Sequence, residues 1–170
     1  MNKLYILCGI PFSGKTTLAK EIIKFPNFVR IDLDEIKFEM FGNGVKDSDI
    51  NQEDWDKIYQ EMYKRIENAL KQEVNVVHDT GNFTKYERGL IRDIASKLNL
   101  ETITIFVDTP KNVAYQRLLE NRKTNQRFDV IDEDFRSTVA EMEIPREDEN
   151  TIVFETTNDP ETWAQGNLIH

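Results

Sequence analysis

Short apolar runs alternate along this chain with longer stretches in which apolar residues recur every third or fourth position. The runs at 3–8, 28–31, 74–78, 102–107 and 151–155 predict strands. The intervening periodicity predicts helices near 15–25, 34–41, 51–72, 85–98, 111–121 and 132–143. The longest is the best marked: Trp55, Ile58, Tyr59, Met62, Tyr63, Ile66, Ala69 and Leu70 follow helical steps, and this partly aromatic stripe reads as core. Strand and helix in regular alternation point to an α/β fold, a parallel sheet with helices on both faces. Gly42, Gly44 and the polar residues 46–49 read as a loop between two helices. The tail after Pro160 carries little pattern.

Composition narrows the class. A length of 170 residues suits one domain, 1–170, large enough for a substantial core. No stretch approaches the roughly 20 apolar residues of a membrane span. Met1 leads almost directly into the first strand, which reads as a chain without a secretory leader and hence cytoplasmic. The single cysteine, Cys8, cannot form an internal disulfide and reads as a small buried hydrophobe in a reducing compartment. A formal net charge of −9 repels long polyanions and argues against extended nucleic-acid binding, while leaving room for a short terminus in a basic cleft.

The first strand runs into Gly9, Ile10, Pro11, Phe12, Ser13, Gly14, Lys15, Thr16 and Thr17, the pattern G-x-x-x-x-G-K-T between a strand and a helix. Such a loop turns successive amides inward as an anion nest, with the helix dipole aimed at the same point. Lys15 is expected to reach the β- and γ-phosphates of a nucleotide and Thr16 to offer its hydroxyl to Mg²⁺. The chain has no Asn-Lys-x-Asp element for guanine, so ATP is the expected nucleotide.

Further charged residues stand at the carboxyl ends of the strands, where ligands of open α/β sheets bind. Asp32 and Asp34 would share a face if the second strand continued through them. Asp34 suits a helix N-cap as well as an acceptor-orienting base. Asp79 and Asp108 both close apolar strands and both fit a Mg²⁺ carboxylate. His78 reads as a satisfied strand histidine. Arg117, Arg122 and Arg127 lead into 122–131, a polar interruption read either as a lid or as a solvated connection. Arginine forks suit phosphate oxygens, and cations at a helix C-terminus also satisfy the dipole.

Together these residues resemble the small P-loop kinases grouped with polynucleotide 5′-hydroxyl kinases, zeta-type toxins and chloramphenicol phosphotransferase. The resemblance runs from Leu4 to about Pro145. It rests on Gly9 to Thr17, the Asp34 and Lys37 pair, Asp79, Thr80 and Asn82 at a strand end, Arg88 in the next helix, and Arg117, Arg122 and Arg127. It implies an adenylate-kinase-like five-stranded sheet of order 2-3-1-4-5, with a small lid near 120–132. It also implies Asp34 as the residue that activates an acceptor hydroxyl, with Lys15, Arg122 and Arg127 beside it in catalysis. ATP would be held by Gly9 to Thr17, Arg117 and Arg122. The acceptor side would comprise Asp34, Lys37, Asp79, Asn82 and Arg88, and Mg²⁺ would sit at Thr16 and Asp79. The expected reaction is phosphoryl transfer from ATP to a hydroxyl of a small-molecule, nucleotide or nucleic-acid-end acceptor. A toxin-like sugar-nucleotide kinase and a non-catalytic ATP-binding switch are the alternatives.

Overall fold

The computed structural model describes residues 1–169. The first apolar run becomes β1 (Leu4–Cys8), buried at every position. Such a strand belongs at the centre of a parallel sheet covered on both sides. Its neighbours are β3 (Asn75–His78) and β4 (Thr102–Asp108), with β2 (Phe28–Ile31) and β5 (Thr151–Glu155) at the edges. The order is β2-β3-β1-β4-β5, and every pairing is parallel. The expected fold and strand order are therefore met.

Seven α-helices complete the described residues: α1 (Lys15–Ile22), α2 (Leu33–Phe41), α3 (Gln52–Lys71), α4 (Lys85–Lys97), α5 (Lys111–Thr124), α6 (Asp132–Glu141) and α7 (Pro160–Leu168). Side chains of β1 alternate between two cores. Leu4 and Ile6 pack with Ile36 of α2, Ile58, Met62, Ile66 and Leu70 of α3, and Ile91 of α4. Tyr5 and Leu7 pack on the opposite face with Leu18 and Ile22 of α1 and Trp163 and Leu168 of α7. A third cluster joins α5 and α6 to the loop after β1: Ala114, Leu118 and Phe135 enclose Ile10 and Phe12. No helix among the described residues is long and apolar enough to cross a membrane.

Three expectations need correction. The second strand ends at Ile31, and Asp32 caps α2 by accepting from the Asp34 and Glu35 amides. Asp32 and Asp34 therefore do not share a strand face, and the cap is Asp32 rather than Asp34. Helix α5 continues to Thr124, which shortens the irregular part of the expected lid to 125–131. The weakly patterned tail forms α7, capped by Asp159 with Pro160 at its first turn. Trp163 anchors it, donating from Nε1 to the Val153 carbonyl at 3.0 Å and meeting Phe154 edge-on.

Cys8 is buried and free, as expected. Its thiol lies beside a buried ion pair that sequence alone does not reveal. Arg88 has no solvent exposure and donates from Nε and Nη2 to the two oxygens of Glu149 at 2.7 and 2.8 Å. Its Nη1 also donates to the Asn82 and Phe83 carbonyls at 3.0 and 3.2 Å. The guanidinium thus ties α4 and the loop after β3 to the turn before β5. Burial alone would raise the Glu149 pKa, but the Arg88 bonds outweigh it and hold the carboxyl below its ordinary 4.5. A depressed folded pKa contributes stability above pH 4.5 that is lost as pH falls. Arg88→Met should cost about 3–5 kcal/mol in urea unfolding at pH 7, because it strands a buried carboxylate. The deficit should shrink on acidification. An equal deficit at all pH values would assign the loss to packing instead.

Candidate active site

The loop between β1 and α1 is folded by its own sequence. Gly14 caps α1 at φ +110°, a left-handed conformation that suits glycine. A Cβ on Gly9 would fall 2.8 Å from Ser13 Oγ and 2.9 Å from the Val107 carbonyl, so β4 closes tightly on the loop only because that side chain is absent. Lys15 Nζ donates back to the Gly9 and Ile10 carbonyls at 2.6 and 3.0 Å and lies 5.7 Å from the Phe83 ring centroid. Burial pulls its pKa down to about 8, and nearby Asp79 opposes the shift.

Two cavities flank this loop. One, of about 510 Å³, is lined by Phe12, Ser13, Gly14, Thr17, Arg117 and Arg127 together with residues of the β5–α7 turn. Arg117 spans it from α5, donating to the Ser13 carbonyl at 2.7 Å and to Thr156 Oγ1 at 3.1 Å. The other, of about 610 Å³, brings Pro11, Lys15 and Thr16 together with Asp32, Asp34, Asp79 and Arg127. Arg127 is shared by the two cavities, with its guanidinium 5.4 Å over the Phe12 ring and 3.4 Å from Thr16 Oγ1. Of the two candidate metal carboxylates, Asp79 lines this cleft, whereas Asp108 is exposed at the end of β4.

Four further expected residues are already engaged. Lys37 is buried and donates to Asp34 Oδ1 and Asp47 Oδ1, both at 2.7 Å, so it fixes Asp34 one turn away on α2. Asn82 donates to the Leu7 carbonyl at 2.8 Å and faces His78 Nδ1 at 3.1 Å, joining the ends of β1 and β3. Arg88 lines neither cavity, because all its donors face Glu149, Cys8 and backbone carbonyls in the interior. It is a structural clamp rather than an acceptor-side residue. Arg122 also stands outside the cleft. It bonds Asp129 and the Val130 carbonyl at 2.8 and 2.9 Å and pairs with Asp132 at 2.8 Å, which fastens residues 125–131 to α5 and α6.

Residues 4–145 match a family model described as an AAA domain. The chain belongs to that AAA domain family. Shikimate kinase of Chlamydia pneumoniae is 29% identical over 135 residues, covering 75% of this chain and 76% of that protein. A shikimate kinase of Clostridium botulinum strain 657 is 40% identical over 81 residues, covering 45% of this chain and 44% of that one. Kti12 of Chaetomium thermophilum in complex with ADP-AlF3 superposes with a TM-score of 0.68 at 16% identity, over 96% of this chain and 94% of the other. A chain of the Pnkp1/Rnl/Hen1 RNA repair complex gives 0.67 at 22% identity, over 82% and 43%. A sugar kinase from Janibacter sp. HTCC2649 gives 0.66 at 16% identity, over 99% and 93%. At these identities the solved structures bear on the fold alone. With its loop, strand order and kinase relatives, this AAA domain chain is a phosphotransferase of the P-loop kinase group.

Two residues of this AAA domain site escaped the sequence reading. Asn121 is buried at the end of α5 and clasps Arg127 twice, donating to its carbonyl at 2.9 Å and accepting from its amide at 2.8 Å. The other is Arg30, at the end of β2. Its guanidinium bonds Asp79 Oδ2 at 2.7 Å and also binds Asp32 and Glu35. Its position two residues before Asp32 was the only available hint. Burial, together with the neighbouring Asp79 and Asp34, pushes the Asp32 pKa up to about 6, although Arg30 opposes the shift. A raised carboxyl pKa favours the protonated fold, so this group adds stability as pH falls through 6. Arg30→Met removes the one cation that these carboxylates share, and should cost about 3–5 kcal/mol at pH 7.5. That deficit should narrow by pH 5 as Asp32 takes up a proton. Paired urea titrations at the two pH values measure it, and an unchanged gap would remove Arg30 as the charge partner.

Proposed function

We propose that this chain is an ATP- and Mg²⁺-dependent kinase that phosphorylates a hydroxyl of a small-molecule acceptor, with Asp34 as the residue that orients and deprotonates it. The carrying observation is that one cleft is lined both by Lys15 and Thr16 of the phosphate loop and by Asp34 of α2. That cleft shares Leu33, Asp34, Asp47, Thr80, Gly81 and Phe83 with a third cavity of about 680 Å³, which provides room for the acceptor.

In this reading the loop amides and Lys15 hold the β- and γ-phosphates, Arg127 covers them from the lid, and Arg117 braces the loop from α5. The hard oxygens of Thr16 and Asp79 fit Mg²⁺, which in such sites takes one or two protein ligands and completes its shell with phosphates and water. The fit is direct, because Arg30 occupies only Oδ2 of Asp79 and Thr16 faces the same cleft. The ion would neutralise charge on the transferred group. Asp34 remains 65% exposed at its side chain and is held by Lys37, so its carboxylate is fixed and still accessible. The acceptor oxygen forms the new bond to the γ-phosphorus as the bond to the ADP oxygen breaks, and the hydroxyl proton passes to Asp34. Positioning and electrostatics supply most of the acceleration in a loose transition state of this type.

Two variants separate the donor and acceptor halves of this reading. Asp34→Asn should lower acceptor-stimulated ADP release about 10²–10⁴-fold, the range of a general base, while the ATP dissociation constant moves less than about twofold. Lys15→Ala should abolish both turnover and tight ATP binding. Parallel loss of ATP binding and turnover in Asp34→Asn would instead place Asp34 on the nucleotide.

A further inference from the structure

The third cavity has a one-sided charge inventory. Its walls carry four carboxylates (Asp34, Asp47, Asp56 and Glu87), and among the described residues no lysine or arginine lines it. The ammonium of Lys37 lies between Asp34 and Asp47, 2.7 Å from each, and 4.8 and 5.9 Å from the rings of Phe38 and Trp55, while that of Lys15 lies 5.7 Å from the ring of Phe83 in the wall shared with the phosphate cleft. Asp34 and Asp47 share Lys37, whereas Asp56 and Glu87 have no ion-pair partner among the described residues, so the lining keeps an excess of negative charge. His78, also in the lining, adds no compensating charge. Its Nδ1 faces the Asn82 amide at 3.1 Å, its Nε2 faces Met62 Sδ at 3.2 Å, and burial pulls its pKa down to about 4.

Burial raises the pKa of Tyr59 in the cavity wall, and Glu87, Tyr63, Asp47 and Asp34 raise it further. Tyr59 is the middle ring of a ladder on α3, with centroids 6.1 Å from Trp55 and 6.2 Å from Tyr63. The wall shared with the phosphate cleft carries Thr80, whose hydroxyl oxygen is buried and has no hydrogen-bond partner among the described residues. A buried hydroxyl left without a protein partner at a cavity wall is open to a water or to a polar atom of a ligand.

From these walls we infer that the acceptor is a hydroxylated amine, bound as a cation. This rests on the kinase reading above and names the substrate class of the same pocket. An ammonium beside aromatic faces is attracted by their quadrupoles, and the carboxylates neutralise it without a desolvated like charge. An acceptor bearing a carboxylate or phosphate next to its hydroxyl would bring a second anion into a chamber that offers no arginine or lysine. Specificity for the amine is therefore set as much by repulsion of acids as by attraction. Asp56 and Glu87 line the cavity without an ion-pair partner among the described residues, accepting only from Gln52 and from the Thr84 amide, so their charge is left for the amine.

The test uses matched acceptors that differ in one substituent: glucosamine, glucose and glucuronate; then 2-amino-1,3-propanediol, glycerol and glycerate; with a 5′-hydroxyl oligonucleotide as the polyanionic arm. ADP release is measured with ATP and Mg²⁺ on the full chain and on Lys15→Ala as blank. The amine of each set should exceed its neutral and acidic counterparts in kcat/KM by at least about tenfold. Asp56→Asn with Glu87→Gln should reduce that preference about tenfold, mainly through KM for the amine, with thermal unfolding confirming the fold. Glutamine retains the hydrogen bond that Glu87 makes to the start of α4. Lys15-dependent phosphorylation that favours an acid, a neutral sugar or the oligonucleotide overturns the amine assignment and leaves the kinase reading standing. A preference that the double variant does not move also overturns it. Silence from every charge class while ATP still binds overturns the kinase reading, and the amine assignment falls with it.

Discussion

A single guanidinium at the end of β2 decides how the acidic side of this site is built. Arg30 meets Asp79 from the end of β3, Asp32 at the start of α2 and Glu35 one turn further on. Three carboxylates within reach of one another would otherwise repel, and two of them are largely desolvated. The shared cation lets Asp32 act as the N-cap of α2, and that cap sets where the helix begins. Asp34 then falls in the first turn, with Lys37 three residues later to hold it. The proposed base is thus positioned by an arginine that does not touch it.

A second buried cation performs related work without sharing the chemistry. Arg88 and Glu149 form a two-pronged pair in the interior, and the same guanidinium gathers the Asn82 and Phe83 carbonyls. Buried ion pairs add little net stability over apolar replacements, yet they penalise any arrangement that separates them. Here the penalty falls on movement of the loop after β3, whose residues include Asp79, Thr80 and Phe83. Gly81 belongs to the same economy of space, since a Cβ there would lie 2.3 Å from the Phe83 ring.

The fold was legible in the sequence because its signals are local. An unbroken apolar β1, helical spacing on α3 and α4 and the glycines of the phosphate loop each specify their own element. The site was legible only in part. Lys15, Thr16, Asp34 and Asp79 announce themselves through motif or strand-end position, and they meet in one cleft. Arg88 and Arg122 carry the same kind of signal but point elsewhere, because a motif gives a residue's place on its helix and not the partner across the fold. Glu149 and Asp129 supply those partners from 61 and seven residues away. Arg30 and Asn121 were missed for the converse reason: their importance lies in contacts made by ordinary-looking residues. The aromatic stripe on α3 divides in the same way. Ile58, Met62, Ile66 and Leu70 are core, while Trp55, Tyr59 and Tyr63 flank them at a cavity wall.

Phe12 links two parts of the molecule that are usually considered apart. It sits in the phosphate loop at φ +61°, packs into the apolar cluster of α5 and α6, and lies under the guanidinium of Arg127. A ligand that shifts this loop therefore shifts a ring on which Arg127 rests. In the proposed kinase, nucleotide binding at the loop and the placement of Arg127 are linked through this ring.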